Sequence, residues 1–222
     1  MFVKICGATT AEEVHAVADA GADLLGLWHE VPGGRADLPA DRLAELAAAA
    51  RATGRLEPVL VTFGTDAAAL AATAAHAGTG WIQLHGYQRP ALVRSLRAEL
   101  PEGTRIVKVL HVHGDTSPEA GLIRAYERAG TDLFLLDATT ADGRLGSTAH
   151  TLDDSVAAAL ADRMERPFLL AGGLRPDNRD RYPATLAHPG FLGIDADSAA
   201  RGDAGLLDAA RTADLVRAWR TP

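Results

Sequence analysis

The chain has 222 residues, is 47% hydrophobic with 5% aromatics, and carries a net charge of −7. That length suits one α/β barrel with one sizeable core. The net negative charge leaves no basic stripe of Lys and Arg, and Lys4 and Lys108 are the only lysines, so nucleic acid or an anionic membrane is not the expected partner and a small molecule is.

The first apolar run, 2–6, lacks the charged-then-apolar layout of a signal peptide, and no apolar stretch reaches membrane-spanning length. A cytoplasmic location is expected. The run closes on Cys6, the one cysteine, which excludes an intramolecular disulfide and a multi-cysteine zinc site. If Cys6 matters, it matters as a thiol. Lys4 lies two positions earlier and so shares its strand face, where an ammonium would lower the thiol pKa.

Further along, strands are expected over 24–29, 58–63, 81–85, 106–112, 132–137, 167–171 and 191–195. Ala-rich helical stretches fall between them at 11–20, 40–53, 66–77, 90–100, 118–129, 152–164 and 206–219. The stretch 176–188 is the weakest, because Asn178, Pro183 and Pro189 predict a short or irregular helix. Eight β-then-α units with short links are the pattern of a single (β/α)8 TIM barrel covering residues 1–222, in the α/β class.

Chemistry in such barrels sits at the carboxyl ends of the strands. Here those ends offer Cys6, Trp28 with His29, Thr62, His85, His111 with His113, Asp137, Gly172 with Gly173, and Asp195 to Ser198. Taken alone, Cys6 reads more readily as a packing residue, and Asp137 could cap the following turn, although its place after a fully apolar strand favours a catalytic role. His111-x-His113 is a spacing seen in metal sites, and Asp137, Asp195 and His29 could complete one, although each has a simpler explanation and no metal is expected.

Four segments carry a more specific signal: Val3-Lys4-Ile5-Cys6-Gly7, Gln83-Leu84-His85-Gly86, Leu135-Leu136-Asp137 and Leu170-Ala171-Gly172-Gly173-Leu174-Arg175-Pro176-Asp177-Asn178. In order and spacing they resemble the phosphoribosylanthranilate isomerase family. The resemblance implies a cofactor-free Amadori rearrangement of an aminoribose 5-phosphate to an aminodeoxyribulose phosphate. It places Cys6 as general base at C2 of the opened sugar and Asp137 as general acid at the ring oxygen. Arg35 falls at the arginine that holds the anthranilate carboxylate, and Gly172 with Gly173 at half of the phosphate cradle. His85, Asp195 and Ser198 are expected to bind substrate around them.

Several segments depart from the family pattern. Gly143-Arg144-Leu145-Gly146 stands for Gly-Gly-Thr/Ser-Gly, and Ala149-His150-Thr151 for Phe-Asp-Trp. After the eighth strand, Asp195-Ala196-Asp197-Ser198-Ala199-Ala200-Arg201 replaces Asp-Val-Ser-Ser-Gly-Val-Glu. The extra acid, Asp197, would repel a phosphate. Either it faces away, or the ligand there is not a phosphate. Trp28-His29-Glu30 is bulkier than the usual run, and Thr62-Phe63-Gly64 replaces a strand ending in Asn. The chain is therefore expected to be a divergent member, with another aryl N-glycoside or aminosugar, phosphorylated or not, or a non-catalytic binding role as the alternative. One of Arg144 and Arg201 is expected to reach into the altered site. The Ala-rich outer helices fit either a dimer interface or solvent, and the oligomeric state is open.

Overall fold

The computed structural model describes residues 1–139 and 151–220. Strands β1 (Phe2–Cys6), β2 (Leu24–Trp28), β3 (Glu57–Thr62), β4 (Trp81–Leu84), β5 (Arg105–Val112), β6 (Leu133–Ala138), β7 (Phe168–Leu170) and β8 (Phe191–Ala196) pair in chain order as a closed parallel barrel. Helices α1 (Ala11–Asp19), α2 (Ala40–Ala52), α3 (Ala67–Ala77), α4 (Pro90–Glu99), α5 (Ile123–Ala129), α6 (Asp154–Ala161), α7 (Pro183–Ala187) and α8 (Ala209–Arg220) alternate with them.

Strand residues alternate between two cores, as a pleated sheet covered on both faces requires. Val3, Ile5, Leu25, Leu27, Leu60 and Ile82 pack with the helices in the larger core. The intervening positions point inward: Val107, Val109, Leu133, Leu135 and Leu169 fill one part of the barrel, and Cys6, Leu24, Val59 and Val61 another. Lys4 has the parity of Cys6 and is likewise buried, at 1% exposure.

The loops at the carboxyl ends are fastened by buried polar side chains. Thr10 and Glu13 form a capping box at the start of α1, satisfying helix N–H groups that have no partner within the helix. The second oxygen of Glu13 accepts from Leu207 N at 2.6 Å, which ties this turn to the segment after β8. Asn178 accepts from Arg175 N at 2.8 Å and donates to Gly173 O at 2.9 Å, pinning the turn after β7.

Besides α6, which covers only Asp154–Ala161 of its 152–164 window, two expected helices are much shorter than their windows. The 176–188 stretch is a 3-10 turn at Arg179–Arg181 followed by the five-residue α7, which starts at Pro183. The 118–129 stretch opens as a 3-10 turn at Ala120–Leu122 before α5. Glu119 accounts for the second case. It turns inward, accepting from Lys108 Nζ at 2.7 Å with one oxygen and from the His111 N–H at 2.8 Å with the other, so the chain is drawn toward the barrel where the helix would have begun. Among the described residues, no helix is long and apolar enough to cross a membrane.

Candidate active site

The carboxyl ends of the strands open into a cavity of about 480 Å³ whose lining includes Cys6, Arg35, His85, Asp137, Gly172, Gly173, Asp195 and Ser198. The residues expected to act on or bind substrate thus meet one space, together with Trp28 and Asp197 from the other strand ends and with Phe63, whereas His29, Thr62, His111 and His113 are not in its lining.

On one side, Lys4 Nζ donates to Asp195 Oδ2 at 2.8 Å and to Cys6 Sγ at 3.2 Å. Trp28 Nε1 donates to the same sulfur, also at 3.2 Å. Space for this arrangement comes from Gly26 on β2, where a Cβ would stand 2.3 Å from Cys6 Sγ and 3.0 Å from Lys4 Nζ. Burial acts to lower the Lys4 pKa, but the neighbouring Asp195 carboxylate and Cys6 outweigh it and hold the ammonium above its ordinary value. The thiol does not follow the simple expectation of a lowered pKa. Burial first, and the Asp195 carboxylate second, push Cys6 up to about 12, against the pull of Lys4 and the Trp28 hydrogen bond. The ammonium is present, but its charge is shared with a carboxylate. Asp195 Oδ1 is buried and has no hydrogen-bond partner among the described residues.

Across the cavity, Asp137 near the end of β6 lies beside His85, with Nε2 3.5 Å from Asp137 Oδ2. The imidazole stacks on Phe63, at 5.5 Å between centroids and 11° between planes, and its Nδ1 meets Gln83 Nε2 at 2.9 Å. Behind it, His111 is committed on both nitrogens, to Glu119 Oε2 at 2.9 Å and to the His85 carbonyl oxygen at 2.9 Å. His29 turns its Nδ1 to the Leu38 carbonyl, 2.7 Å away. The residues that might have completed a site with His113 are therefore engaged elsewhere, and no group of three potential ligands is gathered among the described residues.

At the rim, Arg35 Nη2 donates to Asp197 Oδ2 at 2.7 Å, and Arg201 Nε donates to Asp197 Oδ1 at 2.5 Å. Arg201 is buried, and its remaining nitrogens reach Gly205 O at 2.7 Å and Gly7 O at 2.9 Å. Opposite, Gly172 and Gly173 hold φ of 88° and 58°, a left-handed backbone that costs glycine nothing. A Cβ at Gly172 would also lie 2.6 Å from that of Ala138.

A family model described as N-(5'-phosphoribosyl)anthranilate (PRA) isomerase matches residues 3–218. The chain belongs to this family. The N-(5'-phosphoribosyl)anthranilate isomerase of Afipia carboxidovorans is 32% identical, over 99% of this chain and 87% of that protein. Its counterpart from Azorhizobium caulinodans is 34% identical, over 97% and 90%. The crystal structure of TrpF from Jonesia denitrificans is 30% identical, with a TM-score of 0.74 covering 99% of this chain and 97% of that one. Phosphoribosyl anthranilate isomerase from Thermus thermophilus, 22% identical with a TM-score of 0.78 over 98% of both chains, shares the fold.

Against the PRA isomerase pattern, the replacements after β8 explain one another. Asp197 neither faces away nor stands alone: it lines the cavity between two guanidinium groups, and the three side chains together keep a net positive charge. Of the two arginines outside the pattern, Arg201 reaches this cluster from behind, while Arg144 and the Gly143 to Gly146 and Ala149-His150 replacements lie outside the described residues. Sequence reasoning missed the clamp, although a signal existed. Asp197 and Arg201 are four residues apart and depart from the pattern together. The Trp28 hydrogen bond to Cys6 had no such signal.

Proposed function

We propose that this protein is an aldose–ketose isomerase that converts N-(5-phosphoribosyl)anthranilate to the corresponding aminodeoxyribulose 5-phosphate, the Amadori step of tryptophan biosynthesis. Family membership over nearly the whole chain supports the reaction. The observation that carries the assignment of roles is that Cys6 and Asp137 border one cavity from the ends of β1 and β6.

In this reading Asp137 enters as the carboxylic acid and gives its proton to the furanose ring oxygen. The C1–O bond breaks, and the amine lone pair forms the C1=N bond. Cys6, as thiolate, then takes the proton from C2, and the C–H electrons form a C1=C2 bond while the imine electrons return to nitrogen. The enol proton then moves from O2 to C1 to complete the ketose, and the proton held by Cys6 returns through solvent to Asp137, restoring the thiolate and the carboxylic acid. Acid at one atom and base at another, working in sequence, is what general acid–base catalysis requires.

The remaining groups hold the ligand. Arg35 meets the anthranilate carboxylate, with Asp197 fixing the guanidinium from its other side. The net positive cluster of Arg35, Asp197 and Arg201 suits a substrate that carries a carboxylate and a phosphate, and the backbone at Gly172 and Gly173 can approach a phosphate closely, with Ser198 facing the same space. Asp195 Oδ1 is a buried acceptor with no donor among the described residues, and a ligand hydroxyl or N–H can supply one. Such a donor would also draw charge off the carboxylate that pushes Cys6 up.

The test is incubation with phosphoribosylanthranilate, following loss of the anthranilate-type fluorescence. A protein-dependent decay without added cofactor is expected. Stable fluorescence at protein concentrations equal to the substrate would overturn the proposal.

A further inference from the structure

Trp28 closes β2, and its Nε1–H has Cys6 Sγ as its acceptor, 3.2 Å away. The ring sits in a slot between two glycines: a Cβ would come within 3.4 Å of it at Gly7 and 3.1 Å at Gly34. The donor is therefore held in place rather than swinging in solvent.

An indole N–H only donates. A neutral thiol is a weak acceptor, whereas a thiolate receives a charge-assisted bond roughly twice as strong as a neutral one. Such a donor therefore favours the ionised sulfur over the thiol.

The other groups around Cys6 divide in sign. Lys4 is cationic but gives its nearer hydrogen bond to Asp195, Asp195 and Asp197 are carboxylates, and buried Arg201 reaches the Cys6 carbonyl rather than the sulfur. Among the described residues, Trp28 is the donor to this sulfur that is not shared with a carboxylate.

We infer that Trp28 is a positioning residue for Cys6, its indole N–H favouring the thiolate and aiming the sulfur into the cavity. This rests on Cys6 as the base of the proposed reaction.

The test is Trp28→Phe, which keeps an aromatic ring and removes the donor. Because the chain has one cysteine, thiolate ultraviolet absorbance referenced to Cys6→Ser, and alkylation by iodoacetamide across pH, both report on this sulfur. In the variant the alkylation–pH profile is expected to be displaced upward, with alkylation at a fixed pH below 9 slowed several-fold. Turnover should fall in kcat with KM nearly unchanged. Identical titration and alkylation in variant and wild type would overturn the inference, whatever the activity.

Should Trp28→Phe fail to fold, the unmodified protein still decides. Indole emission should be quenched as the thiolate forms, and Cys6→Ser should abolish that pH dependence; the same profile in both would overturn it. An inactive wild type in which the Trp28→Phe titration shift persists would refute the isomerase reading and leave the Trp28–Cys6 coupling standing.

Discussion

Gly26 faces Cys6 across the β1–β2 pair, and the sulfur occupies the space where a side chain at 26 would begin. The hydrogen at that position lets the thiol sit among Lys4, Trp28 and the cavity at once. Gly26→Ala would force Cys6 or Lys4 aside. Expected effects are a loss of about 1–3 kcal/mol in denaturant unfolding and a fall of at least about tenfold in kcat, since a displaced base loses its alignment.

Arg35 and Arg201 hold opposite oxygens of one carboxylate but should respond differently to removal. Arg201 is 5% exposed and bonded to Asp197 and backbone carbonyls, whereas Arg35 is 45% exposed at the cavity rim. Arg201→Met should cost roughly 3 kcal/mol of unfolding free energy, because it strands buried acceptors. Arg35→Met should leave stability within about 1 kcal/mol and raise KM for the anionic substrate. Equal stability losses in the two variants would contradict the clamp.

The environment of Cys6 predicts a pH dependence with a definite sign. Its folded pKa is raised from 9.0 to about 12, so between those values the folded chain keeps a proton that the unfolded chain releases. The stabilisation is complete below pH 9 and is lost as pH rises toward 12. Cys6→Ser lacks this linkage. Across that alkaline window, wild-type stability should fall more steeply than that of Cys6→Ser, by up to about 4 kcal/mol. Parallel curves would contradict the burial of a protonated thiol.

The barrel was legible because buried strand runs and Ala-rich helices alternate with short links, and each run ends where the strand does to within a residue or two. Cys6, Asp137 and His85 could be placed from their strand ends, since the fold directs those ends to one face. What escaped was set by packing between distant segments. Glu119 shortens a helix because Lys108 and His111 wait for it on β5, which no local pattern announces. The thiol pKa is set first by burial and then by the Asp195 carboxylate, which the fold brings to Lys4 from 191 residues away in sequence. Asp197 likewise reads as repulsive in the sequence, and only the fold sets Arg35 and Arg201 on either side of it.

The most direct measurement is the fluorescence decay of phosphoribosylanthranilate with wild type, Cys6→Ser, Asp137→Asn and the double variant, alongside substrate binding to each. The account predicts turnover by wild type and retained binding in the variants. Each single change should cost about 10²–10⁴ in kcat, and the double variant should be little worse than either, because acid and base serve one reaction. Near-wild-type turnover after either single substitution would contradict the pairing of Cys6 with Asp137.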